Sequence, residues 1–399
     1  MKRYWFLIAI ALVSIVSLVR VFTGTDQITS GGTIRAALIA TAPILMAGLG
    51  GLWAERAGVV NIGLEGQMIL GTWGAAYFTY QFGPWVGVLG GALFGMLGGL
   101  LHAIAAITFN VDHIVSGVAI NLIGAGTAVF LAEAVFPSLK GGGPRQLIGL
   151  ETPTRITIPG VSDWAIALSD KHWFVVSDLA GVVVALTTGI SSLIILIFAT
   201  VIATSLILWR TKFGLRLRSC GENPQAAETL GVNVYLYKYI AVLISGAFAG
   251  IGGASLALVS SSGFNTGQTG GRGYIGLAAM IFGNWRPGSL FSGALLFGYT
   301  EALRLRDPEA VHTLLLIAAI VMLALAAWMY FRGTNRLNAA ILGGVGLVLG
   351  LLFVFTDTIP REFTGMTPYI ATMLVLALGT QRLRMPAADG KPYTRGAAG

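Results

Sequence analysis

The stretch PWVGVLGGALFGMLGGLLHAIAAI, residues 84–107, decides the fold class. It holds no acidic residue, lysine or arginine, and His102 is its only titratable side chain. About 20 apolar helical residues cross the hydrocarbon core of a bilayer. This run is long enough to do so and has no polar face to turn toward water. Gly87, Gly91, Gly95 and Gly99 recur every fourth residue, which on a helix makes one smooth stripe suited to close helix packing.

Outward from this run the pattern repeats. Apolar segments predict about 12 transmembrane helices, at 4–22, 33–52, 62–81, 84–107, 114–136, 190–209, 236–259, 270–285, 288–303, 311–331, 338–356 and 365–381. The pair around Gly283–Gly288 is short and glycine-rich, which suits a re-entrant half-helix buried in protein. Composition agrees. Hydrophobic residues make up 55% of the chain and charged residues 11%, less than half the roughly 25% of a soluble domain. Mean hydropathy is +0.79. The fold class is an all-α polytopic membrane protein in contact with membrane lipid. The net charge of +8 has no polar, aromatic-interleaved domain to carry it, so no nucleic acid is expected as a partner. Cys220 is the single cysteine, which excludes an intrachain disulfide.

Basic loops set the orientation. Met1-Lys2-Arg3 precedes the first apolar run, and Arg20-Val21-Phe22 follows it in place of a small-x-small cleavage pattern. The run therefore reads as an uncleaved first helix. The loop carrying Arg210, Lys212, Arg216 and Arg218 lies six spans later, and the tail with Arg382, Arg384, Lys391 and Arg395 six spans after that. Even counts place both termini and this loop in the cytoplasm. Residues 137–189 fall outside, with Trp164 and Trp173 as interfacial anchors. Arg304 and Arg306 also fall outside, beside Asp307 and Glu309, which is the least comfortable point of that topology. The chain divides into 1–32 (N-terminal helix and outer loop), 33–310 (core), 311–356 (a helical hairpin) and 357–399 (last span and basic tail).

Catalytic and metal signatures are missing. The histidines lack ligand spacing, no nucleophile elbow occurs, and Gly-x4-Gly-Lys-[Ser/Thr] is absent. Gly271-x-Gly273-x-x-Gly276 matches a dinucleotide fingerprint but has no βαβ context. Ionisable residues within spans are few, chiefly Glu65, His102, Glu133 and Glu301, with Asp112 and His113 at a span end. An ion-coupled carrier of a small polar solute remains open from the residues alone. The shortage of buried acids and bases points instead to an energy source outside the chain.

Two segments stand out. WAERAGVVNIGLEGQ, residues 53–67, is polar and glycine-rich between two apolar runs, as in interrupted helices that form transport sites. RLRSCGENPQAAETLGV, residues 216–232, encodes a short loop helix. Asn223 is its N-cap, Pro224 its first residue and Gly231 its stop. Ala226 and Ala227 give it a low profile.

At these segments the chain resembles the permeases of ATP-binding-cassette importers for nucleosides and simple sugars, within the branched-chain amino acid and sugar permease family. The likeness spans residues 33–310 and 357–395. It includes ERAGVVNIGLEG at 55–66, IVSGVAIN at 114–121, GLRLR at 214–218, GENP at 221–224, GGRGYIGLA at 270–278 and FGNWRP at 282–287. Pro368-Tyr369 and GKPY at 390–393 complete it, whereas the hairpin at 311–356 is additional to the family pattern. The resemblance implies a helix coupling the permease to an ATPase, built on Gly221, Glu222, Asn223, Pro224, Ala226, Ala227 and Gly231. It also implies an ATPase subunit that binds ATP and Mg, no cofactor in this chain, a second homologous permease as heterodimer partner, and an extracytoplasmic substrate-binding lipoprotein. Substrate-pathway candidates are the span-end or intramembrane polar residues Asn61, Glu65, Gln67, Asn121 and Asn284.

Overall fold

The computed structural model describes residues 5–306, 310–332, 336–356, 359, 366 and 383–396, with side chains from residue 13 onward. In chain order the helices are α1 (Trp5–Thr23), α2 (Gly31–Arg56), α3 (Leu64–Phe82), α4 (Pro84–Ala103), α5 (His113–Val135), α6 (Val161–Ser169), α7 (Val176–Thr187) and α8 (Ser192–Arg210). They continue with α9 (Lys212–Glu222), α10 (Pro224–Thr229), α11 (Val234–Ser255), α12 (Arg272–Phe282), α13 (Pro287–Arg306), α14 (Ala310–Phe331) and α15 (Arg336–Phe355). Each of the first eleven predicted spans coincides with one of these helices, and the twelfth, 365–381, lies outside the described residues. Among the described residues seven helices are long and apolar enough to cross a membrane. The segment at 270–285, expected to be short, forms α12 with 11 residues, too few for a bilayer.

The chain falls into two compact units. One comprises residues 1–38, 156–190 and 298–380, and the other residues 39–155, 191–297 and 381–399. In the first unit, Arg20 in the last turn of α1 pairs with Asp178 of α7 at 3.2 Å, both nearly inaccessible to solvent. The region 137–189, read from sequence as an outer polar stretch, contains α6 and α7. Both are too short to cross a bilayer, and Trp164 and Trp173 stand exposed. Arg304 makes a two-pronged ion pair with Glu301, at 2.9 and 3.1 Å. That pairing neutralises one of the two arginines that sat awkwardly in the topology. Helices α14 and α15 pack as a hairpin, with Leu347, Leu351 and Phe355 facing outward.

The second unit is built on close contacts between glycines. Helix α4 packs against α3 and α11. A Cβ on Gly95 would overlap the carbonyl of Gly246 and lie 2.6 Å from the Cα of Gly250. A Cβ on Gly87 would overlap the Thr79 side chain of α3. The four-residue glycine repeat is thus a packing stripe serving two neighbours. Near one end of this unit, Gln146–Ile148 pairs antiparallel with Gly142–Gly143 and with Gly263–Asn265, Leu147 opposite Phe264.

Candidate functional site

The two polar segments singled out in the sequence converge within the second unit. Helix α2 ends at Arg56, and Gly58, at φ +82°, turns the chain back toward α3. Asn61 is fully buried. Its Nδ2 donates to Gln67 Oε1 at 3.0 Å and to Ser245 Oγ at 2.8 Å, while its Oδ1 accepts from Gly63 N and from Gln67 Nε2. Asn121 of α5 donates to the Ile62 carbonyl and the Tyr274 hydroxyl and accepts from Gly66 N. His102 lies between Ser116 Oγ and the Val60 carbonyl. A carbonyl can only accept, so His102 Nε2 carries a proton.

Glu65, in the first turn of α3, directs its carboxylate at the N-terminus of α12. Its two oxygens accept from Gly271 N at 2.9 Å and Gly273 N at 2.7 Å. Backbone donors at a helix N-terminus stabilise an anion there. A Cβ on Gly273 would lie 2.6 Å from the Cα of Glu65, so Gly273 lets the backbone reach this carboxylate, while Gly276 packs against Ala47 and Gly48 of α2. Asn284, the last pathway candidate, lies apart in the turn after α12, where its Oδ1 accepts from Arg384 N at 2.7 Å. Asn61, Glu65, Gln67 and Asn121 therefore belong to one buried network that ties the loop after α2 to α3, α5, α11 and α12. A separate cavity of about 90 Å³ is lined by Ile69, Thr72, Ala128, Phe264 and Gln268. Ligand pockets usually measure about 300–1,000 Å³, so this one does not enclose a nucleoside-sized solute.

The short loop helix forms as its caps dictate. Asn223 Oδ1 accepts from Ala226 N at 3.0 Å, Pro224 is the first residue of α10, and Gly231 at φ +80° ends the turn. Ala227 is buried against Cys220, Val234 and Tyr393. The outward face is formed instead by Gln225, Ala226, Thr229 and Leu230, the last 84% exposed. Glu222 lies 3.9 Å from Arg56. Gly221 admits no side chain, since a Cβ would overlap the Arg56 carbonyl. Burial pushes the Cys220 thiol up to about 11, so it is an inert packing group at neutral pH.

Sequence reading passed over three features here. Trp285 Nε1 donates to Glu55 Oε2, while Arg56 donates to the Trp285 carbonyl at 2.7 Å. The second is Trp209, flanked by the guanidinium groups of Arg56 and Arg218 at 5.5 and 5.4 Å. The third is Leu230, an apolar residue left exposed at the end of a polar helix. Its position immediately before the helix-stopping Gly231 was the available signal.

The family model described as branched-chain amino acid transport system / permease component matches residues 33–321, which hold all of this apparatus except the tail. The chain belongs to that permease family. It is 34% identical over 371 residues, 91% of this chain and 96% of the relative, to the guanosine ABC transporter permease protein NupQ of Bacillus subtilis. It is also 34% identical over 365 residues, 90% of this chain and 95% of the relative, to the nucleoside ABC transporter permease protein NupC of Lactococcus lactis. No solved structure matches. The permease is thus a multi-pass membrane component of an ABC importer, and membership implies an ATPase partner and a substrate-binding protein.

Proposed function

We propose that this permease carries nucleosides across the cytoplasmic membrane, using ATP hydrolysed on a separate subunit seated on the outward face of α10. The observation that carries the reading is the construction of α10. A six-residue helix is marginal alone, yet this one is capped at both ends and fixed to the core through Ala227, leaving a small, smooth face. The nucleoside assignment rests on high-coverage likeness to NupQ and NupC. Asn61, Glu65, Gln67 and Asn121 serve the pathway by holding its helices in register, and Asn284 by anchoring the tail.

The rest of the assembly follows from the same reading. ATP and Mg belong to the partner ATPase, and this chain holds no cofactor and catalyses no reaction of its own. A second, related permease completes the solute path, in keeping with the small size of the cavity beside α3 and α5, and an extracytoplasmic lipoprotein delivers substrate. Both termini and the α9–α10 loop face the cytoplasm, supported by the basic residues they share.

Ala226→Trp on the outward face should leave membrane insertion intact, detach the ATPase on purification, and abolish uptake of radiolabelled guanosine by the reconstituted complex. A permease carrying Ala226→Trp that still retains the ATPase and transports guanosine at the original rate refutes the docking role.

A further inference from the structure

Residues 383–396 run as a strap across the second unit and touch both the short loop helix and the end of α2. At one side, Ala388 N donates to the Gly221 carbonyl at 2.9 Å and Ala387 N to Glu222 Oε2 at 3.3 Å. Further along, the Tyr393 hydroxyl donates to Glu228 Oε2 at 2.7 Å, and Arg395 pairs with Glu228 Oε1 at 3.2 Å. The Tyr393 ring is buried beside Tyr235, whose hydroxyl donates to the Tyr393 carbonyl. At the other side, Arg384 N donates to Asn284, and Asp389 is buried against Glu55 with both oxygens shut off from solvent. Gly58 leaves room for the strap, since a Cβ there would lie 3.2 Å from the Ala388 carbonyl.

These contacts place α10 and the α2 end on one continuous band of chain. Glu228, which could have faced a partner, is turned inward onto Tyr393 and Arg395. The Tyr393 hydroxyl holds its carboxyl below the ordinary value. Movement of a short helix can be passed on through contiguous packed and hydrogen-bonded contacts. The strap supplies such contacts on α9, α10 and the end of α2, with the glycine-lined loop 57–63 beside it.

We propose that residues 387–395 are positioning residues for energy coupling, with Tyr393 as the pin that makes movement of α10 move the end of α2. The proposal rests on α10 being the ATPase contact. A strap of this kind has a distinct signature. Its loss lets the ATPase bind and turn over while less of each stroke reaches the transport path.

The test uses the complete reconstituted complex, with its ATPase, both permeases and binding protein, and reads ATP hydrolysed per guanosine transported. Tyr393→Ala should raise that ratio at least about fivefold, the lower end of typical coupling energies. Tyr393→Phe, which keeps the buried ring and removes only the donor to Glu228, should raise it by a smaller factor. A purely structural role predicts that hydrolysis and uptake fall together with the amount of assembled complex, leaving the ratio unchanged, and that result overturns the proposal. If Tyr393→Ala does not assemble, Tyr393→Phe decides alone, a raised ratio supporting the pin and an unchanged one refuting it. Should Ala226→Trp detach the ATPase while both Tyr393 variants keep the original ratio, the strap proposal fails and the docking face stands. Should Ala226→Trp leave the ATPase bound, the docking reading itself fails.

Discussion

Helices α11 and α15 are both strongly apolar, and each carries four glycines, yet they occupy opposite environments. The apolar window of α11 is 67% buried within the chain and that of α15 only 11%. The glycines explain the difference. Gly246, Gly250, Gly252 and Gly253 of α11 each have neighbours within 3.1 Å of where a Cβ would stand. In α15, Gly346 meets Leu323 at 3.0 Å, Gly343 and Gly350 have only ordinary contacts, and Gly344 has nothing within 4 Å. In a membrane, hydrophobicity does not drive one helix against another, because lipid is as apolar as leucine. Close backbone approach does, and it demands that the glycines of two helices fall opposite one another.

The largest expected effect tests that contrast directly. Gly250→Leu places a side chain where the Gly91 carbonyl already stands and should cost at least about 3 kcal/mol, an overpacking penalty. Gly344→Leu in α15 should change stability by less than about 0.5 kcal/mol, as surface substitutions usually do. Thermal unfolding of the two purified variants in detergent measures both. Equal losses would break the distinction between seam and hairpin.

The span pattern was legible because twenty apolar residues have few other uses, and eleven predicted spans became helices. The short helix at Pro224 was equally legible, since Asn, Pro and Gly act on their immediate neighbours. What was hidden depends on pairing across the chain. Trp285 and Glu55 are 230 positions apart, and neither local pattern announces the other. The side of α10 that faces inward was also hidden. Ala226 and Ala227 look alike in sequence, and only the packing of Cys220, Val234 and Tyr393 tells them apart. The Gly-x-Gly-x-x-Gly match shows the reverse case. Its spacing was plain, but its use appeared only when Glu65 and α2 were found against it.

A middle-sized effect sharpens the comparison through two tryptophans. Trp285 is buried and donates to the buried Glu55 carboxyl group, whereas Trp328 on α14 is half exposed and stacks on Arg332 at 5.0 Å. Trp285→Phe keeps the ring and removes the donor, which should cost about 1–3 kcal/mol because a buried acceptor loses its partner. Trp328→Phe should be near neutral in the same melting experiment. A Trp285→Phe protein as stable as the original would show that the neighbouring Asp389 carboxyl satisfies Glu55 without the indole.

The smallest effect depends on pH and lies in the strap, the polar counterpart of the glycine seam. Burial, and then the facing Glu55 carboxyl, push the Asp389 carboxyl well above its ordinary value, with Lys238 and the backbone at Gly390 pulling the other way. Arg56 is the remaining nearby charge. A carboxyl with a raised folded value stabilises the docked strap fully below its ordinary value near 4. That contribution is lost progressively as pH rises through the raised folded value. The Asp389–Glu55 pair therefore keeps a proton to higher pH than a free carboxyl would, and that proton can bridge the two side chains. Asp389→Asn keeps a neutral donor of the same shape but cannot ionise. The variant and the original should melt together at pH 5, with the variant gaining as pH rises to 9. No single group can contribute more than about 1.4 kcal/mol per pH unit, and the opposing pull of Lys238 narrows the pH window over which it acts. The outcome that sinks this reading is a constant gap in melting temperature from pH 5 to 9. The Asp389 proton would then play no part in docking, and the strap would be held by Tyr393, Arg395 and its backbone donors.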